Sequence, residues 1–167
     1  GTQWAPASIA TVEDEEPAVR ERVRRYREHP ALLAWYLNDE LPLTMIDRLA
    51  AHQRWVEEED PNHPTWVVLY QVNEVSGYIR SFDAIGTDPY PIPDRSAAMA
   101  GEWAEITRKA VGDARPVWMV PQVHNWGVYR GYDDARPPTA AEVRSMTWQC
   151  ICEGADGLIY YSWQDLH

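Results

Sequence analysis

Two cysteines are all that the chain contains, and they stand two residues apart, at Cys150 and Cys152. On a helix that spacing points them to different faces, so they form neither a usual disulfide nor, alone, a metal site. They read as small apolar packing residues. No apolar run approaches the ~20 residues that a bilayer span requires. No secretory leader opens the sequence, and localisation is left open, a secreted form whose leader is absent from the chain included. A Gly-rich strand-to-helix turn, a nucleophile elbow, a Walker sequence and a Cys-His signature are all missing, which removes the doubly wound nucleotide binder. Positive charge is scarce: 15 Lys and Arg against 26 Asp and Glu leave a net charge of −11. That balance argues against nucleic acid and anionic membranes as partners and fits a neutral or cationic small substrate. Phenylalanine occurs once, against nine Trp and nine Tyr. Aromatics with a polar tip suit surfaces that are wet on one side, such as the walls of a ligand cleft.

What is present is a regular alternation. With 167 residues and no low-complexity tract, the chain reads as one globular domain over residues 1–167. Glu13 to Glu16 with Pro17 place acids and proline at a helix start, and Arg20 to Arg27 place bases toward its end, as the helix dipole favours. An apolar strand is expected over 32–37, buried on both faces, breaking into Asn38-Asp39-Glu40. Thr44 with Asp47 resembles a capping box for a second helix that stops near Asp60-Pro61. Further strands are expected over 66–70, 82–88, 116–120 and 157–163. Helices are expected over 96–111, closed by Gly112, and from the Thr139–Glu142 capping box to Gly154. Strict alternation with short links implies parallel strands and right-handed crossovers. The strand ends are rich in polar and aromatic residues, which favours the mouth of a barrel over an open doubly wound sheet. The expected fold class is therefore α/β: parallel β/α units forming the C-terminal part of a (β/α)8 TIM barrel, a partial barrel short by about three strand–helix units.

Two carboxylates across a cleft can break a glycosidic bond, one as acid and one as nucleophile or base. Glu40 is the candidate acid, in apolar and aromatic surroundings that raise a carboxyl's proton affinity. Asp88 at another strand end is the better partner, and adjacent Asp39 the weaker, because strand neighbours point to opposite faces. Sugar rings offer apolar C–H faces edged with hydroxyls, so aromatic platforms with amide and imidazole groups suit them. Asn38, Tyr36, Tyr90, Gln122, His124, Trp126, Tyr161 and Trp163 form that pool, about half of which strand alternation turns outward as packing. Asp39, Glu40, Asp88 and His124 are types that ligate metals, but they form no tight ligand motif, and neither metal nor cofactor is expected.

The order of these motifs resembles clan A glycoside hydrolases. Trp35 followed by Asp39-Glu40 is similar to the fourth strand of that group, where Asn-Glu ends the strand and the Glu is the acid/base. The run from Asp83 through Gly86, Thr87, Asp88 and Pro89 to Tyr90 is similar to the sixth strand. Residues 120–126 resemble the seventh, and Tyr161-Ser162-Trp163 the eighth with its cleft Trp. The resemblance covers strands four to eight and implies carbohydrate as ligand. Asp39 stands where that group has Asn, and Gln122 stands where its seventh-strand nucleophile Glu would be; a Gln is neither nucleophile nor base at neutral pH. A site that only binds sugar is the alternative. A five-stranded sector exposes an apolar inner face and two strand edges, so a homo-oligomer or the missing N-terminal half of the barrel is expected to complete it.

Overall fold

A computed structural model describes residues 14–130 and 134–162. Five strands are present among them: β1 (Trp35–Asp39), β2 (Thr65–Leu69), β3 (Ala84–Thr87), β4 (Trp118–Met119) and β5 (Gly157–Leu158). β1, β2 and β3 pair in that order, all parallel, and β4 pairs with β5, also parallel. A parallel bridge from Ile85 to Val117 and the Val120 N–H to Thr87 O bond of 3.0 Å join the two sheets. The spatial order is thus the chain order, as right-handed β/α crossovers require. No barrel is closed among the described residues. The helices are α1 (Glu15–Tyr26), α2 (Ile46–Glu59), α3 (Met99–Val111), the single turn α4 (Gly127–Arg130) and α5 (Ala140–Cys152).

Side-chain alternation divides the strands between two clusters. Val67, Leu69, Ile85, Val117 and Met119 pack with Leu49, Ala104, Met146 and Cys150 from the helices. Trp66, Val68, Ala84 and Val120 cluster on the opposite, inner face. Every β2 residue is buried, matching the two-sided strand read from its sequence. Gly86 is required on β3: a Cβ there would lie 2.4 Å from the Trp118 carbonyl oxygen and 3.2 Å from the Trp66 ring.

Four elements differ from the sequence reading. The first strand starts at Trp35 rather than 32, and Leu33 is 69% exposed. His29 holds the chain in a turn, its carbonyl accepting from Leu32 N and its Nδ1 from Ala31 N, which removes the start of the apolar run from the strand. Among the described residues β1 is also an edge strand, and its residues are only half-buried or exposed. The Thr44–Asp47 capping box does not form. Leu43–Met45 is a 3-10 turn, α2 starts at Ile46 without a side-chain cap, and Asp47 pairs with Arg80 instead. The last two strands are shorter than expected, continuing only as single contacts such as the Gln122–Tyr161 bridge.

Candidate functional site

Glu40 follows the last residue of β1, and its backbone sits in the left-handed region with φ of 56°. A non-glycine residue is held there only when its surroundings dictate it. They do: Glu40 N–H donates to Val68 O (2.9 Å), Gln71 Nε2 donates to Glu40 O (3.3 Å), and Tyr78 OH donates to Leu41 O (2.8 Å). Gln71 and buried Tyr78 are supports that the sequence reading missed, because nothing local marks a side chain that bonds a backbone more than thirty residues away.

Asp88 immediately follows β3, two strands from β1, and is 5% exposed. The curl of the sheet brings its carboxyl into hydrogen-bonding contact with that of Glu40. Two carboxylates cannot both be ionised in such contact without strong repulsion, so one keeps a proton. Burial raises Asp88 most, followed by the hydrogen bond and charge of Glu40 and the charge of Asp39, bringing it to about 9. Burial also raises Glu40, and so does Asp39, while the hydrogen bond from Asp88 acts the other way.

Asp39 is exposed and accepts a 2.6 Å bond from Tyr36 OH. The Tyr36 ring lies 4.7 Å from that of Trp66, and burial with the adjacent Asp39 pushes its phenol above the ordinary range. Asn38 is half-buried, and its Nδ2 has no partner among the described residues.

The other wall is aromatic. Tyr90 stacks with Tyr161 at 5.8 Å and meets His124 and Trp126 edge-on at 4.7 and 5.9 Å. Burial, and then the charge of Asp88, push the Tyr90 phenol up, which ties this wall to the acidic pair. Tyr129, which the sequence reading did not select, joins the wall through a 3.2 Å contact of its hydroxyl with that of Tyr161. Tyr36, Tyr129 and Tyr161 are 43, 47 and 41% exposed, so a strip of phenol surface faces solvent.

Two selected residues stand elsewhere than on that surface. Gln122 is fully buried, its Oε1 accepting from Ile92 N (2.9 Å) and its Nε2 donating to Ile92 O (2.9 Å) and His124 O (3.1 Å). Both amide hydrogens are spent on backbone, so it latches two loops and has none to offer a sugar. His124 is likewise fully buried, its Nδ1 3.3 Å from Tyr161 O, and is enclosed by rings rather than presented to a ligand. Trp126 donates to Tyr90 O at 3.4 Å and is half-buried. Trp163 lies outside the described residues. No group of three or more His, Cys, Asp or Glu is placed to hold a metal ion among the described residues.

No protein-family model and no curated protein sequence matches the chain. Solved structures do match it. The beta-galactosidase from Bacillus circulans sp. alkalophilus superposes with a TM-score of 0.73 at 12% identity, over 90% of this chain and 33% of that one. A candidate alpha-L-fucosidase from Bacteroides thetaiotaomicron gives 0.71 at 14% identity, over 90% and 55%. Bee venom hyaluronidase gives 0.55 at 15%, over 92% and 57%. The fold is glycoside-hydrolase-like. The chain spans less than two thirds of each of these proteins, and its parallel strands correspond to a partial TIM-barrel-like domain.

Proposed function

We propose that this chain carries the acid/base side of a glycoside-hydrolase site, with Glu40 as the group that exchanges a proton with the glycosidic oxygen. The observation that carries this reading is the contact between the Glu40 and Asp88 carboxyls at the ends of β1 and β3, in a mouth walled by tyrosines. Tyr36, Tyr90 and Tyr161 offer ring faces to a sugar, Asp39 and Asn38 offer polar edges, and Trp126 backs the wall. In hydrogen-bonding contact the two carboxyls are closer than the ~5 Å of retaining enzymes or the ~6.5–9.5 Å of inverting ones. They therefore work as one unit on one side of the scissile bond. The opposing group comes from elsewhere, because Gln122 is committed to backbone.

A hydrolysis assay on aryl glycosides and polysaccharides, with Glu40→Gln beside the parent chain, tests this. Turnover that falls by ~100-fold or more while ligand binding persists supports it. Turnover equal in both removes Glu40 from the chemistry.

A second reading, that of a silent carbohydrate-binding or assembly half-barrel, is favoured by the Gln122 latch and the open sheet. It makes the remaining β/α units, from a longer chain or another copy, necessary for catalysis. Sugar binding without turnover by either protein is its expected result.

A further inference from the structure

We infer that Asp88, rather than Glu40, stores the proton of the acidic pair, so that Asp88 is a positioning residue that recharges Glu40. The inference rests on the proposed acid/base role of Glu40 and deepens it. Three observations place the proton. Asp88 is 5% exposed, whereas the Glu40 residue reaches solvent. The buried Oδ1 of Asp88 has no hydrogen-bond donor among the described residues, so the anionic form would leave that oxygen buried without one. The backbone of Glu40 is pinned by Val68 and Gln71, which fixes the carboxyl's root at the mouth.

Burial and neighbouring negative charge raise both carboxyls, while the hydrogen bond from Asp88 favours the ionised form of Glu40. Asp39 adds negative charge to both, and Glu40 raises Asp88 by its charge and hydrogen bond. Tyr36 and Tyr90, whose phenols feel Asp88, are neutral with raised proton affinity. No Arg, Lys or His among the described residues contributes to the shift of either carboxyl. A backbone hydrogen bond favours the ionised form of Asp88 but is outweighed by its burial and by Glu40, so the more buried group keeps the proton.

The proton balance is closed. In the resting pair Asp88 O–H donates to the Glu40 carboxylate. Transfer across that bond makes Glu40 the acid; as the glycosidic C–O bond breaks, its proton passes to the leaving oxygen. Water forms the new C–O bond, and the proton it sheds returns through Glu40 to Asp88. The state with both groups ionised is the unfavourable one, which drives recapture.

Carbon-13 carboxyl titration by NMR on the whole chain tests this without any substrate. Asp88→Asn identifies the Asp88 signal, and the amide spectrum reports whether that variant folds. The expected result is that Asp88 moves mainly in an upper step near pH 9 and Glu40 mainly in a lower one. In Glu40→Gln the Asp88 step moves down, with the partner's charge gone, yet stays above the ordinary carboxylate range. If Glu40 takes the upper step, or both are ionised by about pH 6, the inference fails. The outcome is separable from hydrolysis. Ordinary titration with Glu40-dependent turnover overturns the proton store alone, and the expected titration without turnover overturns the enzyme reading alone.

Discussion

Asp88 couples the site to stability, and the sign follows from its raised proton affinity. Below its ordinary value of 3.8 both folded and unfolded states hold the proton. Between there and about 9 only the unfolded chain ionises, so stability falls as pH rises through that window. Denaturation midpoints at pH 5, 7 and 9 are expected to decline more steeply for the parent than for Asp88→Asn. Gln122 gives the complementary case. Gln122→Glu looks like restoration of a nucleophile, but it removes both donors to Ile92 O and His124 O and buries a charge. We expect a loss of about 3 kcal/mol or more and no gain of turnover, read from a urea midpoint and an aryl-glycoside assay. The sequence reading selected Glu40 and Asp88 because strand ends are visible as breaks in apolar runs. The burial of Gln122 and His124 was not legible, because their bonds run to backbone that no spacing reveals.

At the scale of elements, short-range signals were legible and long-range ones were not. The Thr139–Glu142 box forms as read, with Glu142 N to Thr139 Oγ1 at 3.2 Å and Thr139 N to Glu142 Oε2 at 2.7 Å. Thr139→Ala is expected to lower stability by about 1 kcal/mol, measured as a shift in Tm. The similar pattern at Thr44 fails because Pro42 leads into a 3-10 turn and Asp47 has a distant partner in Arg80. α1 illustrates a fastening that no local pattern shows. Buried Glu15 bonds Arg48 and His52 of α2, and Arg20 and Arg24 reach Glu58 and Glu59. Burial and then the charge of Arg48 hold His52 down to about 4, so it is neutral at pH 7. Its contribution is intact above the ordinary value of 6.5 and is lost as pH falls toward 4. Acid should therefore loosen α1 from α2, seen as faster proteolysis near α1 at pH 4 than at pH 7.

For the whole molecule, the parallel order of units was readable from the α/β alternation, whereas strand lengths and closure depend on tertiary pairing. Among the described residues β1 has a neighbour on one side only, while β2 and β3 are flanked on both. Hydrogen exchange should then be slowest at Val67, Val68 and Ile85 and faster along β1. Equal protection of β1, varying with protein concentration, would mean that a second copy covers that edge. The inner face has a further consequence, which is optical. The Tyr36 and Trp66 rings stand 4.7 Å apart and those of Trp66 and Trp118 6.4 Å, a line of chromophores running from β1 through β2 to β4. Gly86 leaves room on β3 for both the Trp66 ring and the Trp118 carbonyl, each of which a Cβ there would crowd. Coupling along that line is expected to give the sheet its own near-ultraviolet dichroism, a signal that would report the curl bringing Glu40 to Asp88 and that no substrate is needed to read.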